Sequence, residues 1–209
     1  GLHRFNKKTR QFKNYSPDAN NPQSIVSPYV WQIKRDAQDN IWVCFVERGG
    51  FARYIPETDS FESFTHDINN PNSLAFDYVW TVYPDSKGNL WLGTLNGLDK
   101  FHIASKTFTH YTHDPHNEFS IRSDNALAVM EDSTGNIWVG TEGGGVNILD
   151  LQTNRFSAIG VKEGLPSDAV TSIVEDAQGI MWLGTLNGVA SIDPRTRAVL
   201  ILYLTTLVG

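Results

Sequence analysis

The chain has 209 residues, a formal net charge of −6, 40% hydrophobic residues and 11% aromatic residues. This apolar content is sufficient for a core, and the acidic balance argues against nucleic acid or an anionic membrane surface as a partner. Because Cys44 is the only cysteine, an internal disulfide is excluded, and its apolar neighbours predict a small buried side chain. Eleven Phe, seven Tyr and six Trp favour strands over helices.

In chain order, one turn-and-strand pattern recurs four times. An aspartate, a turn and a tryptophan precede a second turn at residues 36–51, 85–98, 132–146 and 176–189, and three of the four copies read D-x-x-G-x-x-W. The four tryptophans are separated by 49, 47 and 44 residues. Spacing this regular along the whole chain indicates a repeat array.

A second pattern keeps a fixed register to the first. From the residue that closes each glycine turn, apolar or aromatic residues follow at +3, +10 and +13. The five series begin at Leu2, Phe51, Leu98, Val146 and Val189. Each unit therefore predicts four short strands, A to D, of which "VWQIKRD", "NIWVGT", "GLDKFHI" and "KTFTHY" are examples.

Four strands per unit of 40–50 residues predict an all-β fold, a partial β-propeller with four-stranded antiparallel blades. About four and a half blades are expected. The predicted spans are 1–23 (strands C and D of a truncated blade), 24–72, 73–119, 120–164 and 165–209. The last apolar run, 198–209, is too short to cross a membrane and predicts a strand. Four A–B pairs and five C–D pairs predict an open arc, whose exposed edges favour self-association.

The turn between strands A and B is interpreted as structural. Its aspartate can accept backbone N–H groups, its glycine supplies a positive φ, and its tryptophan packs between blades. A phosphate-binding loop is disfavoured because no lysine follows the glycines and the next element is a strand. The residues given this structural role are Asp36, Trp42, Asp85, Gly88, Trp91, Asp132, Gly135, Trp138, Asp176, Gly179 and Trp182.

No catalytic motif or cofactor site is recognisable, and no metal is predicted. The stretch from His110 to His116, "HYTHDPH", contains three histidines that could suggest a metal ligand set. However, His113 and Asp114 align with His66 and Asp67, so they belong to a repeated turn after strand D. The prediction there is free loop histidines.

Strand alternation places the D–A links and the B–C turns at one end of each blade, and these segments vary most between units. Aromatic side chains beside amides and carboxylates there suit the recognition of sugars or peptides. For Trp31 and Trp80, packing in the blade is an equal alternative. The predicted ligand-binding residues are Tyr29, Trp31, Arg48, Asp77, Tyr78, Trp80, Asn96, Asp124, Asn125, Glu142, Asp168 and Asn187.

The units resemble the two-component regulator propeller repeat of bacterial hybrid two-component sensors. The resemblance rests on the "D-x-x-G-x-[IL]-W-[VL]-G-T" cores and covers the whole chain. It implies a non-enzymatic, periplasmic propeller that senses a small-molecule or oligosaccharide ligand. It also implies a membrane segment and a histidine kinase or other output domain downstream, outside this sequence.

Two other functions remain open from the sequence. One is a propeller enzyme acting on glycans, either a lyase or a sialidase-like hydrolase, which would need acid, base and Arg or Tyr groups together. The other is a protein-interaction scaffold, which would need a broad apolar patch.

Overall fold

The computed structural model describes residues 1–202, which form eighteen β-strands. In this part of the chain the only helix is a three-residue 3-10 helix, Val161–Glu163. The predicted all-β fold is therefore confirmed. The strand predicted over 198–209 begins as expected, but its residues 203–209 lie outside the described part.

The strands form one two-stranded sheet and four four-stranded sheets, each a simple antiparallel meander. The two-stranded sheet, called the half blade, contains β1 (Leu2–Asn6) and β2 (Gln11–Tyr15). Blade 1 contains β3 (Val30–Arg35), β4 (Ile41–Phe45), β5 (Phe51–Ile55) and β6 (Ser60–Phe64). Blade 2 contains β7 (Val79–Pro84), β8 (Leu90–Thr94), β9 (Gly97–His102) and β10 (Thr107–Tyr111).

The last two blades repeat this arrangement. Blade 3 contains β11 (Ala126–Glu131), β12 (Ile137–Thr141), β13 (Val146–Asp150) and β14 (Arg155–Ile159). Blade 4 contains β15 (Val170–Glu175), β16 (Met181–Thr185), β17 (Gly188–Ile192) and β18 (Val199–Leu202). Each four-stranded sheet has the strand order A-B-C-D of a propeller blade, as the sequence predicted.

The turns between strands C and D set the pairing of these two strands. Every one of the five turns ends in a non-glycine residue with a left-handed backbone, and in four of them its N–H bonds to the carbonyl four residues earlier. This fixed loop length holds the C–D register, because a slip by one residue would turn every side chain to the other face of the sheet. The five residues are Arg10, Asp59, Lys106, Asn154 and Arg197.

The chain divides into two compact units. The first comprises Gly1–Leu95 and Asp99–Thr109, and its cores surround Trp42 and Phe45. The second comprises Asn96–Leu98 and the residues from His110 onward, and its core surrounds Trp138. In both units the strand-B tryptophan of one blade packs against the strands of the next blade, because the core around Trp42 includes Leu90 and the core around Trp138 includes Met181.

Candidate functional site

The turn between strands A and B contains the same hydrogen-bond network in all four blades. In blade 3, Oδ1 of Asp132 accepts the N–H groups of Thr134 and Asn136, each at 2.9 Å. Its Oδ2 accepts the indole N–H of Trp138 at 2.7 Å. The corresponding indole-to-carboxylate distances are 2.8 Å for Trp42–Asp36, 3.0 Å for Trp91–Asp85 and 2.8 Å for Trp182–Asp176. The aspartate therefore joins the turn to the strand-B tryptophan, which in blades 1 and 3 packs on the next blade.

In blades 1 and 3 these hydrogen bonds lower the pKa of the turn aspartate. Burial acts to raise the pKa of Asp132, but hydrogen bonds from Thr134, Trp138 and Asn136 outweigh it and hold the pKa below its ordinary value. The pKa of Asp36 is lowered against burial in the same way, by Trp42 and Asn40.

Stability is therefore expected to depend on pH in the acid range. Because the folded-state pKa values of Asp36 and Asp132 lie below their unfolded values, their contribution is present above about pH 5 and is lost as the pH falls below about 4. Urea denaturation between pH 3 and pH 7 measures this loss. In Asp132→Asn the loss should be smaller, and a variant as acid-sensitive as the parent would contradict the assignment.

The other end of each blade is here called the loop end, and in blades 1 to 3 the B–C turn there bonds to two D–A links. Within blade 3, the N–H of Glu142 donates to the carbonyl of Asn125 at 2.9 Å. Toward blade 4, the N–H groups of Gly143 and Gly145 donate to the carbonyl of Asp168 at 3.0 and 2.8 Å. Gly50 and Asp77 make the same bond at 3.0 Å in the first unit. The loop end thus connects consecutive blades through the main chain.

Gly145 is required at this turn for two reasons. Its φ is +69°, and a Cβ built on it would lie 2.2 Å from the carbonyl oxygen of Ile159. Gly140 is required for the close approach of two blades, because a Cβ there would lie 2.5 Å from the carbonyl oxygen of Val170 in the next blade. The glycines of this hairpin therefore serve backbone conformation and close approach, in keeping with the structural interpretation of the sequence.

The aspartates predicted to bind ligand have backbone partners. Oδ1 of Asp77, Asp124 and Asp168 accepts the N–H of His66, His113 and Val161 at 2.6, 2.6 and 2.7 Å. One oxygen of each carboxylate is therefore used to close the link after strand D.

The prediction of free loop histidines at 110–116 is wrong for His113, and its repeat equivalent His66 makes the same contact. Their Nδ1 atoms donate to the carbonyls of Leu74 and Ile121, each at 2.8 Å. The sequence alignment showed that the position repeats but could not show this contact, which spans eight residues. Within residues 1–202, no group of three or more His, Cys, Asp or Glu side chains is arranged to hold a metal ion.

Strand A of every blade contains a β-bulge after its first residue. The pairing register shifts between Val30 and Gln32, between Val79 and Thr81, and at the same place in blades 3 and 4. A bulge leaves one residue outside the ladder and re-aims its side chain. The residues at this position are Trp31, Trp80, Leu127 and Thr171.

In the first unit the bulge residues form an aromatic cluster, here called the aromatic platform. The rings of Trp31 and Trp80 meet edge to face with centroids 5.6 Å apart, and Tyr78 lies 5.5 Å from Trp80. Trp31 is 59% exposed, and Tyr29, which immediately precedes the same strand, is 54% exposed. The alternative that Trp31 only packs inside its blade does not fit this exposure, since a core tryptophan such as Trp42 is 1% exposed.

In the second unit the predicted residues form a polar cluster. The amide of Asn125 donates to the carboxylate of Glu142, and the hydroxyl of Ser123 donates to the carbonyl of Glu142 at 2.7 Å. Nearby, the guanidinium of Arg122 pairs with Glu163 at 3.2 Å, and this arginine was missed by the sequence analysis. The hydrogen bond from Arg122 is the main reason that the pKa of Glu163 is lowered.

The other predicted residues lie in the B–C turns. Arg48 is exposed and has a left-handed backbone, with φ of +66°. Asn96 is exposed in the turn of blade 2, and the amide of Asn187 donates to the carbonyl of Pro166 at 3.3 Å. Each predicted ligand residue thus lies at the loop end of its own blade, within one of the two units.

The fold and the repeated turn define a β-propeller built from Asp–Trp repeats. Three segments, residues 73–96, 120–143 and 164–187, match the family described as two component regulator propeller. The chain therefore carries two component regulator propeller repeats, and the resemblance seen in the sequence is confirmed.

Solved structures with this fold include extracellular domains assigned to two-component systems. The chain is 25% identical, with a TM-score of 0.79 over 91% of its length, to the extracellular domain assigned to the hybrid two component system BT3049 from B. thetaiotaomicron. The corresponding values are 20%, 0.66 and 100% for the extracellular domain assigned to BT4673 from the same organism. Virginiamycin B lyase from Staphylococcus aureus is 13% identical, with a TM-score of 0.70 over 97% of the chain, and shares the fold alone.

The chain spans only part of these proteins. It covers 26% of the BT3049 domain, 35% of the BT4673 domain and 62% of the lyase. No match was found among curated proteins. In residues 1–202, no helix is long and apolar enough to cross a membrane.

Proposed function

We propose that this chain is a non-catalytic, ligand-sensing part of an extracytoplasmic propeller in a bacterial signal-transduction receptor. The repeat family and the likeness to extracellular domains of two-component systems support this class. In a bacterial receptor of this kind the domain lies in the periplasm, and a membrane segment and a histidine kinase or other output domain belong to the remainder of the receptor.

The aromatic platform is the observation that carries the proposed site. The rings of Trp31, Trp80 and Tyr78 lie together at the loop end of the first unit. Trp31 is more than half exposed, as is Tyr29, two residues before it in the chain. A contiguous group of exposed aromatic side chains is typical of a recognition site, and indole and phenol groups offer an apolar face with a polar edge. This combination suits a sugar ring, which has apolar C–H faces and polar hydroxyls, and we propose an oligosaccharide as ligand.

The hydrogen bonds of the carboxylates at the loop ends favour non-catalytic binding over glycan cleavage. Asp77, Asp124 and Asp168 each hold a backbone N–H with one oxygen, and Glu142 holds the amide of Asn125. A general acid or base must be able to exchange a proton with its substrate, which these structural bonds oppose.

The proposal is tested by titrating the chain with a panel of oligosaccharides in a calorimeter. We expect saturable binding to at least one of them, and the double variant Trp31→Ala/Trp80→Ala should weaken it at least tenfold. Phe12→Ala is the matched control, because Phe12 is 71% exposed in the half blade, away from the platform. Binding that survives the double substitution would refute the platform, and product formation from a glycan would instead support an enzyme.

A further inference from the structure

Strand D of one blade meets the C–D turn of the next blade through a pair of side chains, here called the outer contact. One side chain comes from the middle of strand D, and the other from the left-handed residue that ends the next C–D turn. Three such contacts occur among the described residues of the two units. They are Lys13–Asp59, Glu62–Lys106 and Ser157–Arg197. The same repeat positions therefore meet at each junction, but with different chemistry.

At the first junction a carboxylate is surrounded by donors from both blades. Besides the ammonium of Lys13, the hydroxyls of Tyr15 and Tyr54 donate to Oδ1 of Asp59, each at 2.6 Å. The guanidinium of Arg4 pairs with the same oxygen at 3.1 Å. The hydrogen bond from Lys13 is the main reason that the pKa of Asp59 is lowered.

The junction between blades 1 and 2 has the opposite charges. Glu62 lies opposite Arg53 in its blade, as Lys13 lies opposite Arg4 in the half blade, so the two occupy one repeat position. Lys106 ends the next turn and donates to Glu62, which also accepts a hydrogen bond from Arg53 at 3.0 Å. Acid and base have thus exchanged sides.

The aromatic residues beside the two contacts change together with the charges. Tyr15 and Tyr54 give hydroxyls to the carboxylate of the first junction, whereas their repeat equivalents at the second junction are Phe64 and Phe101. The two phenylalanine rings pack with centroids 4.8 Å apart. Because a lysine at the turn is itself a donor, it needs no hydroxyl. Each junction is therefore a matched set of charge and aromatic type.

The contacts that repeat at successive junctions cannot distinguish one blade from another. The N–H groups of Gly50 and Gly145 donate to the carbonyls of Asp77 and Asp168, and these main-chain groups carry no information on residue type. The strand-B tryptophan is the same residue in all four blades. Discrimination between blades therefore has to come from side chains that differ between junctions.

We propose that the outer contact selects the neighbour of each blade, so that the next blade in the chain fits and other blades, of the same chain or of a second copy, do not. The half blade docked on blade 2 would bring Lys13 against Lys106. Blade 1 docked on blade 1 of a second copy would bring Glu62 against Asp59. Like charges in contact repel, and Phe64 would bring no hydroxyl to the carboxylate.

The exposure of these side chains favours selection over stabilisation as their role. The side chains of Lys13 and Lys106 are half exposed, and ion pairs of this kind contribute little to the free energy of unfolding. Misassembly and domain swapping are characteristic failures of repeat proteins, and a penalty on mismatched junctions opposes both.

The first experiment asks whether the charge at position 13 interacts with the charge at position 59. In the parent chain, Lys13→Glu brings two carboxylates together and should lower Tm by about 2 °C. In an Asp59→Lys background, the same substitution creates an ion pair and should raise Tm by about 2 °C. The effect of Arg4 on residue 13 is common to both backgrounds and cancels in the difference. Equal effects in the two backgrounds would overturn the proposal.

Lys8→Glu is the matched control, because it makes the same change of charge in an exposed turn of the half blade outside the contact. Its effect on Tm should be the same in both backgrounds. The difference for Lys13→Glu should fall by about half in about 1 M NaCl, which screens half-exposed charges. A difference that salt leaves unchanged would contradict selection by charge.

The second junction provides an independent pair of variants that keeps Asp59 and its tyrosine partners intact. Lys106→Glu should lower Tm in the parent by about 2 °C more than in a Glu62→Gln background, where the repulsion is removed. The backbone cost of glutamate in the left-handed conformation is the same in both chains. The absence of this difference would count against the proposal at the second junction.

A refolding experiment tests selection separately from stability. The double variant Lys13→Glu/Asp59→Lys gives the first junction the charges of the second, so the outer contact no longer distinguishes blade 1 from blade 2. After refolding at micromolar concentration, size-exclusion chromatography should show about threefold more dimer and aggregate than for the parent, whereas Lys8→Glu should refold as the parent does. A double variant that refolds as cleanly as the parent would show that the pair stabilises a junction without selecting it, which would overturn the proposal.

Discussion

Trp138→Ala is expected to lower the free energy of unfolding by about 3–5 kcal/mol, the range for removing a buried tryptophan. Trp138 is 1% exposed, and it packs in one core with Val170, Met181 and Leu183 of the next blade. The substitution therefore leaves a cavity between two blades. It also removes the indole N–H that Oδ2 of Asp132 accepts.

Trp182→Ala is the matched control for this prediction. Trp182 occupies the same repeat position and makes the same hydrogen bond, at 2.8 Å to Asp176, but it is only half-buried. Its loss should cost about 1–2 kcal/mol, because less apolar area is returned to water. Chemical denaturation of both variants measures the difference. Equal costs would contradict the assignment of Trp138 to inter-blade packing.

Gly145→Ala is expected to cost about 3 kcal/mol or more. Alanine in a left-handed conformation costs about 1–2 kcal/mol. Its Cβ would also lie 2.2 Å from the carbonyl oxygen of Ile159, so that β13 and β14 would have to separate. The bond from the Gly145 N–H to Asp168 would be disturbed at the same time.

Gly143→Ala separates the steric cost from the conformational cost. Gly143 has a φ of +89° in the same turn, and a Cβ there meets no atom within 4 Å. We therefore expect a loss of about 1–2 kcal/mol, from backbone conformation alone. The comparison uses denaturant midpoints of the two variants, and a loss for Gly143→Ala as large as that for Gly145→Ala would refute the role of close approach.

The repeat made the sheets predictable from the sequence. The five apolar series share one register and are separated by turns with Asp, Asn and Gly. This pattern predicts paired strands whose apolar faces lie on the same side of the sheet and are buried together. The sequence predicted that the tryptophan of each unit packs between blades, and the cores of Trp42 and Trp138 do include residues of the following blade. Its bond to the aspartate six residues earlier was not foreseen, because the bond depends on how the turn folds the chain back.

The candidate site was harder to predict than the fold. Asp77, Asp124 and Asp168 look like available carboxylates in the sequence, yet each closes the link after strand D. For Trp31 and Trp80 the sequence could not distinguish packing inside the blade from ligand binding, because a bulge has no sequence signature in an apolar strand. Only the register shift shows that Trp31 leaves the ladder.

The bulge has a consequence for how such a receptor can change its specificity. In each blade the strands and the Asp–Trp turn form the structural framework. The bulge residue lies outside the strand ladder, and it is Trp, Trp, Leu and Thr in blades 1 to 4. Under the proposed function, a substitution there would alter the recognised ligand at little cost to folding. A receptor that binds ligand in the proposed way could therefore change its ligand preference and its stability separately, one side chain per blade.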